Sequence, residues 1–250
     1  MISIILCAGK GSRISNLNCP NKCLLRFQDV SLLQKTLSYV NELDEISKVI
    51  IVVNYNKDEV IAEAKKSTHK ELVIVEQRNL NGIIGAIEQC IPVIGDDDFM
   101  LMLGDEYYEM PKYKDFISCF INSELSILAG IVYVDDKTRI SKTYGVTVKN
   151  DKLIYFEEKP KNSINNIMGT GTILFRNSTL KYMNKIEVNE QRNERDLVDL
   201  LNASLNDNEQ VHIYEISKHY YNINDNHEIE NLNTFLEYRK KGKEESKTES

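Results

Sequence analysis

The chain has 250 residues, 42% of them hydrophobic and 28% charged, with a net charge of −7. That is enough to bury one large core, and the charge is spread along the sequence instead of gathered in a block, which argues against a nucleic-acid partner. The apolar start at residues 2–7 is too short for a membrane span and no cationic leader precedes it, so a cytoplasmic protein is expected, and the odd set Cys7, Cys19, Cys23, Cys90 and Cys119 reads as reduced thiols.

Residues 2–6 form an apolar strand pattern that runs into Cys7-Ala8-Gly9-Lys10-Gly11-Ser12-Arg13. A Gly-x-Gly turn behind a buried strand lets backbone N–H groups converge on an anion, and Arg13 and Lys22 add charge for more than one phosphate. A dinucleotide fingerprint fails because Ile14 stands where a third Gly or Ala is needed; a P-loop fails on the order and spacing of the glycines. Leu33, Thr36, Leu37 and Val40 share one face of a helix over 31–43. Next come a strand at 49–53, a helix at 58–66, a strand at 72–75, a helix at 83–89 and a strand at 99–103 that ends on Gly104-Asp105. This alternation predicts crossover units around a mostly parallel sheet.

A long strand follows at 125–134, and the patterns at 144–149 and 152–156 flank Asn150-Asp151, a pair suited to a tight hairpin turn. Leu197, Leu200, Leu201 and Leu205 mark a helix whose first turn carries Glu194 and Asp196, and Ile229, Leu232, Phe235 and Leu236 mark a last one. Nothing apolar follows Gly242, so a single domain over 1–241 with a frayed tail at 242–250 is expected. No hexapeptide repeat follows it, so no appended β-helix and no acetyltransfer are expected.

In an open α/β sheet the ligand lies beyond the carboxyl ends of the strands. Asp105 stands at such an end and suits Mg²⁺ bridging triphosphate oxygens, as it also suits a turn cap. Glu157-Glu158-Lys159-Pro160 follows the hairpin, where charged residues alone would mean a solvated cluster. No Ser/His/Asp order is visible among the histidines.

The opening stretch resembles the first motif of the sugar-phosphate nucleotidyltransferases, or nucleotide-sugar pyrophosphorylases: Leu-x-Ala-Gly-x-Gly-x-Arg, then Pro-Lys-x-Leu-Leu. Leu6, Ala8, Gly9, Gly11, Arg13, Lys22 and Leu25 fill the pattern, with Asn21 standing between Pro20 and Lys22. Gln77, Gly82 and Ala86, then Tyr144-Gly145, Glu158-Lys159-Pro160 and Gly169-Thr170-Gly171 follow in the family's order, much as in glucose-1-phosphate thymidylyltransferases and N-acetylglucosamine-1-phosphate uridylyltransferase domains.

The resemblance implies a three-layer α/β/α Rossmann-like nucleotidyltransferase fold with a mixed, mostly parallel central sheet. It implies an enzyme that converts an NTP (UTP, dTTP or CTP) and a sugar 1-phosphate to an NDP-sugar and pyrophosphate, with Mg²⁺ as cofactor and neither a nucleic acid nor a membrane as partner. A homo-oligomer is left open. By the same resemblance Arg13, Lys22, Asp105 and Lys159 are catalytic, and Leu6, Ala8, Gly9, Gly11, Gln77 and Gly82 bind the nucleotide. Gly145, Glu158, Lys159 and Thr170 meet the acceptor, the last within a turn at 169–171 where Gly169 takes the place of an Asn. Asp105 holds the metal with Asn222 or Asn224, between which spacing does not choose. A cytidylyltransferase for a non-sugar phosphate, or a nucleotide-binding regulator without activity, is the alternative.

Overall fold

The computed structural model describes residues 1–11, 14, 21–189 and 194–248, with the backbone alone for 243–248. Its first half holds β1 (Ile2–Leu6), β2 (Arg26–Phe27), β3 (Val30–Ser31), α1 (Leu32–Asn41), β4 (Lys48–Val53), α2 (Lys57–Ser67), β5 (Glu71–Glu76), α3 (Gly82–Ile94), β6 (Phe99–Leu103), β7 (Glu106–Glu109) and α4 (Tyr113–Ile121). The second half adds β8 (Ile127–Tyr133), β9 (Tyr144–Lys149), β10 (Lys152–Glu158), β11 (Ile167–Phe175), α5 (Leu197–Asn206), β12 (Val211–Glu215), β13 (His219–Asn222) and α6 (Asn226–Thr248).

A nine-stranded mixed sheet is built around the parallel run β6-β1-β4-β5. Strand β11 joins that run to the antiparallel section, pairing with β6, β8 and β9. Because side chains alternate along a strand, the two faces of the sheet carry separate cores. Ile5, Val49, Ile51 and Met102 pack with α1, α2 and α4 on one face; Ile4, Ile50, Val52 and Leu101 pack with α3 and α5 on the other. The expected three-layer mixed α/β fold is therefore present. Burying a large aliphatic side chain in such a core contributes about 1.5–3 kcal/mol.

Local chemistry accounts for several boundaries. Ser31 caps α1 by accepting a hydrogen bond from the Gln34 N–H, and the predicted face Leu33, Thr36, Leu37 and Val40 is buried. Asn150 and Asp151 take φ of 51° and 58°, the left-handed pair a tight hairpin requires, and they connect β9 to β10 as expected. Asn202 of α5 pairs with the edge of β10, accepting from Phe156 N–H and donating to Phe156 C=O as a neighbouring strand would.

Several features differ from expectation. The stretch Gly169-Thr170-Gly171 is not a turn but lies inside buried β11, where the Tyr144 ring and the Leu103 side chain lie so close that small residues are needed. Helix α4 went unpredicted, although Tyr113, Phe116, Ile117 and Phe120 have helical spacing and are all buried. Helix α6 continues to Thr248, through the segment expected to fray. Among the described residues no helix is long and apolar enough to cross a membrane.

Candidate active site

Beyond the carboxyl ends of β1 and β6 lies a cavity of about 510 Å³, within the usual size of ligand-binding clefts. Of the residues expected there, Leu6, Ala8, Gly9, Gly11, Lys22, Gln77, Gly82, Asp105, Glu158, Lys159, Thr170, Asn222 and Asn224 line it. Arg13 lies outside the described residues. Gly145 is not part of the lining; a Cβ there would point at Pro160 and Ile140.

The loop after β1 supplies the first wall. Lys22 opens a short 3-10 turn whose position is set by Asn21, a residue 1% exposed. The Asn21 amide donates to the Cys7 and Tyr55 carbonyls at 2.8 and 2.9 Å and accepts from the Cys23 N–H at 3.0 Å, tying the turn to the end of β1. From there the Lys22 ammonium donates to Asp105 Oδ2 at 3.3 Å and to Asn224 Oδ1 at 3.1 Å.

Asp105 meets the asparagines through long-range pairing. Strand β13 runs antiparallel to β7 with Asn222 opposite Glu106, and the Ile223 N–H donates to the Asp105 carbonyl at 2.9 Å. Among the described residues Asn222 Oδ1 is buried with no hydrogen-bond partner, whereas Asn224 Oδ1 is engaged by Lys22. A buried amide oxygen without a donor is costly unless something else engages it. Among the described residues no cluster of three or more His, Cys, Asp or Glu side chains could hold a metal ion.

Glu106 lines the same cavity and was not foreseen, since a lone glutamate after Asp105 carries no distinguishing spacing. Its carboxylate is 2% exposed and accepts from the Tyr108 and Tyr220 hydroxyls and from the Gly171 N–H. Burial pushes the Glu106 carboxyl up to about 7, against the pull of those hydrogen bonds. Burial also raises the two tyrosine hydroxyls above their ordinary value, so both remain donors.

The second wall is built around Gln77 and Gly82. Gln77, 4% exposed, donates from Nε2 to the Gly82 carbonyl at 3.0 Å and to Asn81 Oδ1 at 3.3 Å, which fixes the amide with its oxygen on the remaining side. Gly82 sits at φ +90°, and a Cβ there would stand 2.9 Å from the Arg195 carbonyl, so only glycine allows the segment before α5 to approach. The Arg195 guanidinium is ion-paired with Glu88 of α3, which holds that segment down.

On the third wall Lys159 adopts the left-handed conformation, φ 46°, and its ammonium lies 2.8 Å from Glu158. A non-glycine residue at positive φ is a strained arrangement of the kind that persists where a site requires it. The Thr170 hydroxyl instead donates to the Gly130 carbonyl at 2.9 Å, so the sheet occupies it. Asp196 is the N-cap residue of α5 and Asp199 lies in its first turn. None of the histidines lines the cavity, and Cys7, Cys23, Cys90 and Cys119 are free thiols.

The nucleotidyl transferase family model matches residues 2–222. The chain belongs to the nucleotidyl transferase family. The resemblance drawn from the opening motif is thereby borne out, and members of this family are generally metal-dependent. The chain is 26% identical to the bifunctional protein GlmU of Methanocaldococcus jannaschii, over 80% of its own length and 46% of that protein. It is 28% identical to the UTP–glucose-1-phosphate uridylyltransferase AglF of Haloferax volcanii, over 70% and 72% of the two chains. It spans about half the length of the GlmU relatives it matches. In fold it is similar to a putative glucose-1-phosphate thymidylyltransferase from Bacillus anthracis, with a TM-score of 0.83, 21% identity and 94% of each chain covered. A UDP-glucose pyrophosphorylase complexed with UDP-glucose matches with a TM-score of 0.79 at 18% identity, over 95% of this chain and all of that one.

Proposed function

We propose that this transferase joins an NTP to a sugar 1-phosphate, giving an NDP-sugar and pyrophosphate. One observation carries the reading: Lys22, Gln77, Asp105 and Lys159, which come from four separate stretches of the chain, line one cavity. No protein nucleophile is needed, because the acceptor phosphate is already ionised. One of its oxygens attacks the α-phosphorus in line, a P–O bond forms, and the bond to pyrophosphate breaks on the opposite side. The protein contributes positioning and charge. Lys22 faces the α-phosphate, Lys159 offsets repulsion between two anionic reactants, and Arg13 is assigned the departing phosphates by its place in the motif. Glu158 and Lys159 carry acceptor recognition, since the Thr170 hydroxyl is committed to Gly130 and Gly145 faces Pro160.

The residues present fit Mg²⁺. Asp105 brings a carboxylate and Asn222 a buried amide oxygen that no donor among the described residues engages, the all-oxygen set that this ion completes with waters and substrate phosphates. Asp105 and Asn222 would hold it, with Asn224 as a further oxygen once Lys22 is drawn elsewhere. When bound, the ion neutralises charge on the triphosphate.

The base follows from the fixed Gln77 amide. With both Nε2 hydrogens directed at Asn81 and Gly82, the group offered to a base is Oε1, an acceptor. It pairs with the N3–H of uracil or thymine and not with the bare N3 of cytosine. Pyrophosphate release measured for UTP, dTTP, CTP, ATP and GTP against several sugar 1-phosphates tests the whole reading. Turnover with UTP or dTTP, and at least about tenfold less with CTP, is expected. Preference for CTP would favour a cytidylyltransferase, and silence in every combination would refute catalysis.

A further inference from the structure

The candidate metal ligands are three oxygens, Asp105 Oδ, Asn222 Oδ1 and Asn224 Oδ1, and a lysine already touches two of them. The Lys22 ammonium is 3.3 Å from Asp105 Oδ2 and 3.1 Å from Asn224 Oδ1. The pair is partly buried, with the Lys22 side chain 11% and that of Asp105 26% exposed. We propose that Lys22 holds the place of the divalent cation before nucleotide binds, so that the cation enters with the nucleoside triphosphate and not ahead of it. The inference rests on the assignment of Asp105 and Asn222 to Mg²⁺ above.

A divalent cation arriving alone must share the Asp105 carboxylate with the Lys22 ammonium, so two positive charges compete for one partly buried negative charge. A triphosphate changes that balance. Its oxygens give Lys22 a new acceptor, and Asp105 and Asn224 are released together. The backbone cannot make this exchange, because Asn21 ties the turn to Cys7 and Tyr55. The side chain can: its stem runs past the phosphate loop, with Cγ 3.1 Å from where a Cβ on Gly11 would stand. Lys22 is therefore placed to rotate between the metal ligands and the phosphates. Lys159, the other lysine of the catalytic set, is paired with Glu158 on a different wall and has no such choice.

Binding of Mn²⁺ alone to the full chain, read from the electron paramagnetic resonance of the free ion, separates the outcomes. Lys22→Met should bind Mn²⁺ at least tenfold more tightly than wild type. Lys22→Gln, which keeps a donor and is the safer variant for folding, should do the same, and Lys159→Met should change the affinity less than twofold. In thermal melts, Mg²⁺ alone should raise the midpoint of the Lys22 variants and leave wild type unmoved, while Mg²⁺ with UTP should raise wild type. Wild type binding Mn²⁺ as tightly as the Lys22 variants, or an equal gain in Lys159→Met, overturns the proposal while the metal reading stands, provided Asp105→Asn removes the ion. A gain in Lys22→Gln that survives Asp105→Asn overturns the metal reading and the proposal with it.

Discussion

Asn21 decides where Lys22 stands. It interrupts the Pro-Lys spacing of the family motif, and its amide spans two carbonyls and one N–H, so the extra residue serves as a staple. Replacing it with alanine leaves the Cys7 and Tyr55 carbonyls short of a donor and lets the turn drift. Asn21→Ala should lower kcat/KM about tenfold to a hundredfold, the scale of a small misplacement of a catalytic group, and steady-state kinetics with UTP checks it. A different residue contributes to the acid response of the fold. The Ser126 hydroxyl, then Lys181 and Tyr182, hold the Glu209 carboxyl down to about 2 from its ordinary 4.5. A depressed carboxyl contributes stability above its unfolded value and loses it as pH falls toward the folded one. Glu209→Gln should therefore be less stable than wild type at pH 7, by about 1.5–3 kcal/mol. The gap should close as pH falls from 4.5 toward 2, which denaturant melts across that range would show.

At the scale of elements, the long-range antiparallel pairing of β7 with β13 shapes the candidate site, because it brings Asn222 and Asn224 to the same cavity as Asp105 from the far end of the chain. Glu106 joins this pair to β11. It accepts from Tyr108 on β7, Tyr220 on β13 and the Gly171 N–H on β11, three buried donors gathered on one carboxylate. Glu106→Ala should cost about 2–4 kcal/mol and weaken metal-dependent turnover, since Asn222 follows Tyr220 closely on the same strand. Glu106→Gln keeps the shape: its one amide oxygen can accept from one tyrosine and the Gly171 N–H while its NH2 donates to the other tyrosine's hydroxyl, so most of that loss should be recovered in melts and assays. A Gln variant as damaged as Ala would mean that charge and not connectivity matters at this position.

At the scale of the molecule, what could be read in advance was local. The parallel run, the Asn150-Asp151 hairpin and the face of α1 depend on residues within a few positions of one another, and each stands where the pattern predicts. The site was legible where a motif abuts a strand, as with Gly9, Lys22 and Asp105. It was not legible where distant strands meet. Nothing in the spacing showed that Asn224 would face Lys22 while the buried Asn222 oxygen would have no partner among the described residues, or that Glu106 would gather two tyrosines. The Gly169–Gly171 stretch misled for a related reason: glycines mark a turn locally, but here neighbouring side chains demand them within a buried strand. The central claim is that one cavity brings an NTP and a sugar 1-phosphate together for transfer between phosphates. The most direct test follows UTP, pyrophosphate and nucleotide sugar together by phosphorus NMR. The account predicts that pyrophosphate and UDP-sugar appear in equal amounts, only when the sugar 1-phosphate is present, and that both fall at least about a hundredfold in Asp105→Asn. UTP consumed without an acceptor, or full turnover by Asp105→Asn, would contradict it.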